Sequence, residues 1–554
     1  MPEHAGPGAD PDSGSANRGH LRSWRLFVVI ATLCLGVFLY GLDSNIIGTA
    51  LPQITTDFQS LSAVAWYGAA YLLTVTAFQP LFGILYKFFS TKLVYLASML
   101  LFEVASIVCA TASTSNILIF GRALLGLGAA GLLQGALAII RCVVSLDKVP
   151  LFQGIVISSV GISVCVGPII GGALTQYATW RWCFWINVPA GFCAIIIIFL
   201  FVPLSQGSEE EAGQLTVRQK LGRIDAIGTI LFLGLVCCLL LALTWGGQQY
   251  LWSDARIIGL LVAFGVLLIL FCYWDWRQGE LALIPLRVLR KRSISMGSLV
   301  LFSYGLIMYV YGYYLPIFFQ SAQGVSATES GVRYIAMMAP QILTLVATGA
   351  LVSKWGYYVP FMIAGTVICS VGSGLLTTID ITTSTVTWAA YLVLTGIGVG
   401  MASQLPYTAL QVVLDPVDVP VGNAIAVFSS QLGGAIGLAI GQNLLVTELF
   451  DAVPQHTTID PNDVVAVGAS GLTQLTNSSA TLQDLRRAYG QAVRDVFILG
   501  LAFACFAAVP CLAMEWLNIK HEAIKRKQSL EVEGGEKSTT GKQVTDELAL
   551  DVQG

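Results

Sequence analysis

Charge is scarce in this chain. Of its 554 residues only 11% are Asp, Glu, Lys or Arg, while 55% are hydrophobic; an ordinary globular domain carries about 25% charged residues. So little polar surface cannot solvate a soluble fold of this length, and a mean hydropathy of +0.75 points instead to a polytopic membrane protein. Histidine is almost missing: His4, His20, His456 and His521 all fall in tails or loops, so a proton relay inside a membrane must use carboxylates. The twelve cysteines have neither metal-site spacing nor the pattern of a secreted disulfide framework, so no metal is expected and they read as small packing residues. Enzyme signatures are also missing. There is no G-x-S-x-G and no H-E-x-x-H. The tail segment "GGEKSTTGKQ" imitates a P-loop, but its spacing is one residue too long, Gln543 stands where Ser or Thr is needed, and no strand precedes it. No loop could hold the nucleotide domain of an ATP-driven pump.

What the chain has is apolar length. Fourteen runs of about 20 residues stand near 26–47, 65–85, 93–113, 117–140, 151–175, 183–203, 224–244, 257–276, 294–319, 334–353, 358–378, 386–410, 422–446 and 496–516. An even count puts both tails on one side, and the placement of Lys and Arg tests it. With the N-terminus in the cytosol, 22 of the 29 fall inside and six outside (Arg181, Arg256, Arg333, Arg486, Arg487 and Arg494), with Arg122 inside a run. The one permissive sequon, Asn477-Ser478-Ser479, falls in a loop assigned outside, which makes Asn477 the expected glycosylation site.

The sequence repeats itself. "GILYKFFSTKLVYL" at 83–96 is echoed by "GALVSKWGYYVPFM" at 349–362, and "SSVGISVCVGPIIGG" in the fifth run by "SSQLGGAIGLAIGQN" in the thirteenth. If runs one to six match nine to fourteen, then seven and eight are an insert between two six-helix halves, and parallel six-helix repeats mark transporters. The expected organisation is a disordered cytosolic tail at 1–25, a six-helix bundle at 26–203 and a two-helix insert with its flanking loops at 204–293. A second six-helix bundle follows at 294–516, with a long extracytoplasmic loop at 447–494, and then a disordered cytosolic tail at 517–554.

Away from the run ends stand three charged residues: Asp43 in "YGLDSNIIGTALPQI", Glu103 in "LLFEVASIVCA" and Arg122 in "FGRALLGLGAAG". Each costs at least ~2.5 to 3.5 kcal/mol at membrane depth on insertion scales, so they should face a polar interior. Either one carboxylate exchanges a proton while Arg122 biases it, or the three form a fixed network. Asn45, Gln134, Gln404, Tyr407 and Gln431, with Asn187, Gln341 and Gln442, are candidates to line a substrate cavity or to bond helix to helix. The tyrosines of "FSYGLIMYVYGYYLP" (Tyr304, Tyr309, Tyr311, Tyr313 and Tyr314) read equally as a stacking wall for an apolar substrate or as an interfacial belt, with Tyr311 as the candidate cavity residue. Gly161, Gly167, Gly171 and Gly172 read as one small-residue face, a sliding seam or tight packing, with Pro168 as a bend. Trp180, Trp182 and Trp185 read as an interfacial belt.

With "LDSNIIGTALPQI", "FGRALLGLGAAG", "GPIIGG", "WRWCFWINVPAG" and "PVGNAIAVFSSQLGGAIG", the chain from about 26 to 516 resembles the major facilitator superfamily. Within it the likeness is to the fourteen-helix drug:proton antiporter branch, the fungal toxin efflux pumps. The resemblance implies an all-α polytopic fold of fourteen transmembrane helices arranged 6+2+6. It implies proton coupling through Arg122 and Asp43, and an exporter's glycine-proline helix at Gly161–Gly172. The loop after the second run departs from the superfamily pattern, in which an Asp stands where this chain has Lys87 and a Gly-Arg-Lys run follows. Lys87 and Lys92 are expected there as surface anchors.

The expected function is proton-coupled export of small, largely apolar compounds by alternating access. It needs no cofactor beyond the proton gradient. Small molecules, protons and the lipid bilayer are the expected partners, with no nucleic acid, and the protein is expected to be a monomer. Both termini are placed in the cytosol, with the protein in the plasma membrane or, alternatively, the vacuolar membrane. Other functional readings are an amino-acid or siderophore carrier, or a non-transporting sensor.

Overall fold

The computed structural model describes residues 23–58, 64–202, 216–247, 250–467, 471–525 and 528. Most of both expected tails, the segment 203–215 and the side chain of Pro168 lie outside the described residues. Among the described residues, fourteen long helices build the fold, counting the bent α5 as one: α1 (Ser23–Phe58), α2 (Val64–Phe88), α3 (Thr91–Ala110), α4 (Ser115–Val143), α5 (Val149–Tyr177), α6 (Trp182–Phe201), α7 (Ala226–Trp245), α8 (Ala255–Gln278), α9 (Arg292–Ser321), α10 (Ala327–Trp355), α11 (Val359–Leu376), α12 (Thr385–Val413), α13 (Val419–His456) and α14 (Ser479–Leu512). Each meets one of the fourteen apolar runs. α5 bends by 44° between Val164 and Ile169, α6 breaks at Ile186, and α12 breaks at Ser403–Gln404.

Local chemistry sets the ends. Asp225, Asp254 and Ser384 accept from backbone N–H groups of the first turns of α7, α8 and α12, satisfying donors that a helix start leaves open. Pro150 and Pro420 open α5 and α13, where a missing N–H costs nothing. Gly356, with φ of +86°, ends α10 in the left-handed conformation.

Pairing within each half follows one scheme. α1 packs on α5 and α6, α2 on α4, and α3 on α4 and α6; α9 packs on α13 and α14, α10 on α12, and α11 on α12 and α14. The most extensive contacts between the halves are α2 against α13 and α5 against α10, and the first becomes the second when each helix is exchanged for its counterpart. The insert breaks this symmetry. α7 lies over the α2–α13 contact, where Phe232 sits 5.0 Å from Phe428 and 5.3 Å from Phe271 of α8, ring centre to ring centre. Burial ranks the layers: the apolar stretch of α4 is 83% buried and that of α8 only 11%, so α4 is central and α8 faces lipid.

Two expectations change. The loop expected at 447–494 is largely helical, made by the ends of α13 and α14 with short helices Pro461–Val467 and Leu472–Leu475 between them. At 38 and 34 residues these helices reach about 57 and 51 Å at 1.5 Å per residue, well past the ~30 Å of bilayer hydrocarbon. The segment looked like a loop because helices leaving the membrane need polar surfaces. Asn477 is exposed in the bend before α14. Trp180 is not part of a belt. It is buried, with its indole N–H donating to Asp57 at 2.8 Å and its ring against Phe58 and Phe184; Trp182 is exposed.

Candidate functional site

The N-terminal half holds a buried ion pair. Arg122 of α4 and Asp43 of α1 are 1% and 0% exposed, and Nη1 of Arg122 donates to Oδ2 of Asp43. Nε of Arg122 donates to the Tyr67 carbonyl at 2.8 Å, and the guanidinium lies 4.6 Å from the centre of the Tyr71 ring. Both charges are therefore compensated where solvent cannot help, as burial demands. Asn187 of α6 stands beside Asp43 and donates to Ser106 at 3.0 Å.

Glu103 does not join the pair. It is buried between the outer helices α3 and α6, where Gly191 leaves the room its carboxyl fills. No Lys or Arg is within ion-pair distance among the described residues. The structure thus unites two of the three expected charges and puts the third at the back of the bundle.

The halves meet at mid-depth through neutral polar groups. Tyr309 of α9 donates to Oε1 of Gln431 on α13 at 2.8 Å, and Nε2 of Gln431 donates to the hydroxyl of Tyr40 on α1. Tyr407 of α12 is buried in the same neighbourhood. Of the expected cavity residues, Gln431 and Tyr407 stand here. Tyr311 does not: it points at α14, against Phe497 and Gly500. Two positions along a helix turn a side chain by about 200°, which brings Tyr309 to the centre instead. Asn45 bonds to the Gly41 carbonyl of its own helix at 2.7 Å and faces Gly167.

Gln134 and Gln404 belong to a closure, not to the cavity. Gln134 of α4 donates to the Pro420 carbonyl at 3.2 Å, and Gln404 in the break of α12 donates to the Pro150 carbonyl at 2.5 Å. Each glutamine crosses to the first turn of the opposite half. Thr408 adds a bond to Gln153 at 3.1 Å. The repeated glycines complete the pattern. A Cβ at Gly83 would stand 2.7 Å from that of Ala424, and one at Gly349 would stand 2.6 Å from the Pro150 carbonyl oxygen. Only glycine allows either approach.

Charge reinforces the same end. Asp418, beside α13, is 2% exposed; it receives Lys87 at 3.7 Å from the other half and Arg287 at 2.8 Å from the segment joining α8 to α9. Lys87 and Lys92 are therefore not surface anchors. Lys87 stands where the resemblance leads one to expect an acid, and the acid it meets is Asp418 of the opposite half. Lys92 is buried against α6, donating to the Phe199 carbonyl at 2.7 Å.

The glycine face is also revised. Gly161 faces Ile342 of α10 at 3.1 Å and Gly167 faces Asn45 of α1 at 3.1 Å, both measured from an added Cβ, while Gly172 faces open space. Six residues along a helix leave two side chains about 120° apart, so these glycines serve different neighbours. Sequence reasoning passed over Tyr40 and Tyr71. Only the bonds of Tyr40 to Gln431 and of Tyr71 to the Tyr40 carbonyl, at 3.0 Å, single them out.

Comparison with known proteins now bears on this geometry. Residues 33–438 match the family described as Major Facilitator Superfamily. The chain is 41% identical over 512 residues to "MFS-type efflux pump MFS1" of Trichophyton rubrum, covering 91% of this chain and 94% of that one. It is 39% identical to "Efflux pump aflT" of Aspergillus parasiticus over 92% and 99% of the two chains. It is 39% identical to "Efflux pump roqT" of Penicillium rubens over 94% and 96%. Among solved structures, the proton:xylose symporter XylE shares the fold with a TM-score of 0.56 at 15% identity, covering 88% of this chain and 96% of that one. The human organic anion transporter MFSD10 does so with a TM-score of 0.52 at 12% identity, covering 86% and 99%.

Proposed function

The chain belongs to the major facilitator superfamily, and we propose that within it the protein is a proton-coupled exporter of small, largely apolar organic compounds such as toxins, secondary metabolites or drugs. The observation that carries this reading is the separation of charge from the mid-depth contact between halves. Asp43 and Arg122 form a sealed pair in one half, while Tyr40, Tyr309, Tyr407 and Gln431 at mid-depth offer neutral hydrogen-bonding groups and aromatic faces. A neutral apolar compound is matched by such a lining. A buried carboxylate held by one arginine is a group whose protonation a gradient can drive. The naming of the relatives as efflux pumps supports the direction.

Transport then proceeds by rocking of the two six-helix halves about the α2–α13 and α5–α10 contacts. The closure by Gln134, Gln404 and Asp418 lies at the end of the bundle where α1 begins, which the distribution of Lys and Arg assigns to the cytosol. In this reading the protein works as a monomer in the plasma membrane and Asn477 carries the glycan.

The test is proton flux in sealed vesicles containing the purified protein, with apolar compounds added under an imposed pH gradient. Compound-dependent proton movement that Arg122→Ala removes is the expected result. Proton-driven export that continues at the same rate in Arg122→Ala refutes the role of Arg122, and export that ignores the gradient refutes proton coupling.

A further inference from the structure

A single side chain touches both the ion pair and the contact between halves. Tyr71 of α2 is 1% exposed. Its ring lies under the Arg122 guanidinium, 4.6 Å from the ring centre. Its hydroxyl donates to the Tyr40 carbonyl at 3.0 Å. Tyr40 in turn receives Gln431 of the opposite half, and it precedes Asp43 by three residues, so both sit on one turn of α1. Gln431 therefore joins the C-terminal half to a closed ring of contacts: Tyr40 along α1 to Asp43, Asp43 to Arg122, Arg122 over Tyr71, and Tyr71 back to Tyr40. The other titratable groups near Asp43 are Glu103 and Cys109 on α3 and Cys183 on α6; none of them also touches Tyr40.

We infer that Tyr71 is the coupling residue of this transporter, a positioning group that ties the charge state of Asp43 to the grip of Gln431 on Tyr40. The inference rests on the proton-coupled reading above and adds the means of coupling. The physical reason is that Tyr71 makes two different bonds with two different parts. The ring attracts the guanidinium through its negative face, holding Arg122 toward Asp43. The hydroxyl fixes where α1 stands relative to α2. When Asp43 gains a proton, its hold on Arg122 weakens and the guanidinium can leave the ring, which frees α1 to shift with Tyr40. When a compound displaces Gln431 from Tyr40, the same turn of α1 is released from the other side. Each event lowers the cost of the other, which is coupling in the thermodynamic sense and must be reciprocal.

The experiment needs no knowledge of the cargo. Full-length protein in lipid nanodiscs is followed by hydrogen exchange at the first turns of α5 and α13, where Gln134 and Gln404 hold the halves together. Exchange in acidic and in alkaline buffer is corrected for intrinsic chemistry. In the wild type, acid should change the protection of these turns. In Tyr71→Phe that pH response should shrink about fivefold or more. Asp43 should still titrate, as shown by the infrared band of a buried carboxylic acid that Asp43→Asn removes. Gln431→Leu, which cuts the link between the C-terminal half and the ring, should shrink the response similarly and add little in the Tyr71→Phe background. A pH response of wild-type size in both single variants overturns the inference while leaving proton coupling intact. A wild type whose closure ignores pH overturns the proton-coupled reading itself, and the inference with it.

Discussion

The two halves share one pairing of helices and differ in their chemistry. In the N-terminal half Asp43, Glu103 and Arg122 are buried at membrane depth. Among the described residues of the C-terminal half the one buried charge is Asp418, at the very start of α13. The positions that could carry charge hold hydroxyls and amides instead: Tyr304 pairs with Thr366 at 3.0 Å, and Tyr309 with Gln431 at 2.8 Å. Common packing with unequal polarity teaches that helix pairing and the placement of buried charge are separable in this molecule. Among the described residues, only the N-terminal half buries charged side chains well inside its spans.

The largest expected effect comes from removing the charge asymmetry. Arg122→Ala strands Asp43 in a buried site and should cost about 3–5 kcal/mol of stability, read as a large fall in melting temperature, together with loss of proton-driven flux. Asp43→Asn combined with Arg122→Gln should regain most of the stability and none of the flux. The converse change is Thr366→Asp, which puts an unpaired carboxylate into the neutral half. It should lower stability by roughly 2.5–3.5 kcal/mol, seen as reduced monodisperse yield, and a variant as stable as the wild type would break the comparison.

Smaller effects probe what the halves share. Gln134→Leu and Gln404→Leu each remove one bond across the closure, worth about 1 kcal/mol, so each should raise exchange at the first turns of α13 and α5 about fivefold. Equal effects confirm that the halves contribute alike; a difference of tenfold or more denies the symmetry. Least of all is expected from Tyr311→Phe, within about 0.5 kcal/mol in stability and without effect on KM. Tyr309→Phe, two residues away, should raise KM for transported compounds about fivefold by removing one hydrogen bond of about 1 kcal/mol.

The fold was legible because lipid imposes a simple rule: fourteen apolar runs of spanning length can hardly be anything but helices. Asp43 and Arg122 were legible for a related reason, since a charge in such a run is costly enough to need a partner. Glu103 satisfied the same rule yet stands apart, because which side of α3 it occupies depends on how that helix is rotated. The choice of Tyr311 over Tyr309 failed on the same ground. Neutral residues give no energetic warning: Tyr40 and Tyr71 are two of nineteen tyrosines, and only their bonds distinguish them. Gln134 and Gln404 were visible as polar residues, but the carbonyls they meet lie nearly three hundred and just over two hundred and fifty residues away in sequence.

The length of α13 has a mechanical side. One uninterrupted helix runs from the closure at Val419, past Gln431 at mid-depth, to His456 beyond the membrane surface. It is a lever whose pivot lies where the halves meet. A tilt that parts the first turn from Gln134 is amplified at the far end, where the helix meets Pro461–Val467 and the opening turns of α14. In the proposed orientation the projecting cap is an external pointer to the state of the closure, and an antibody that clamps it is expected to stall the proposed transport without ever entering the membrane.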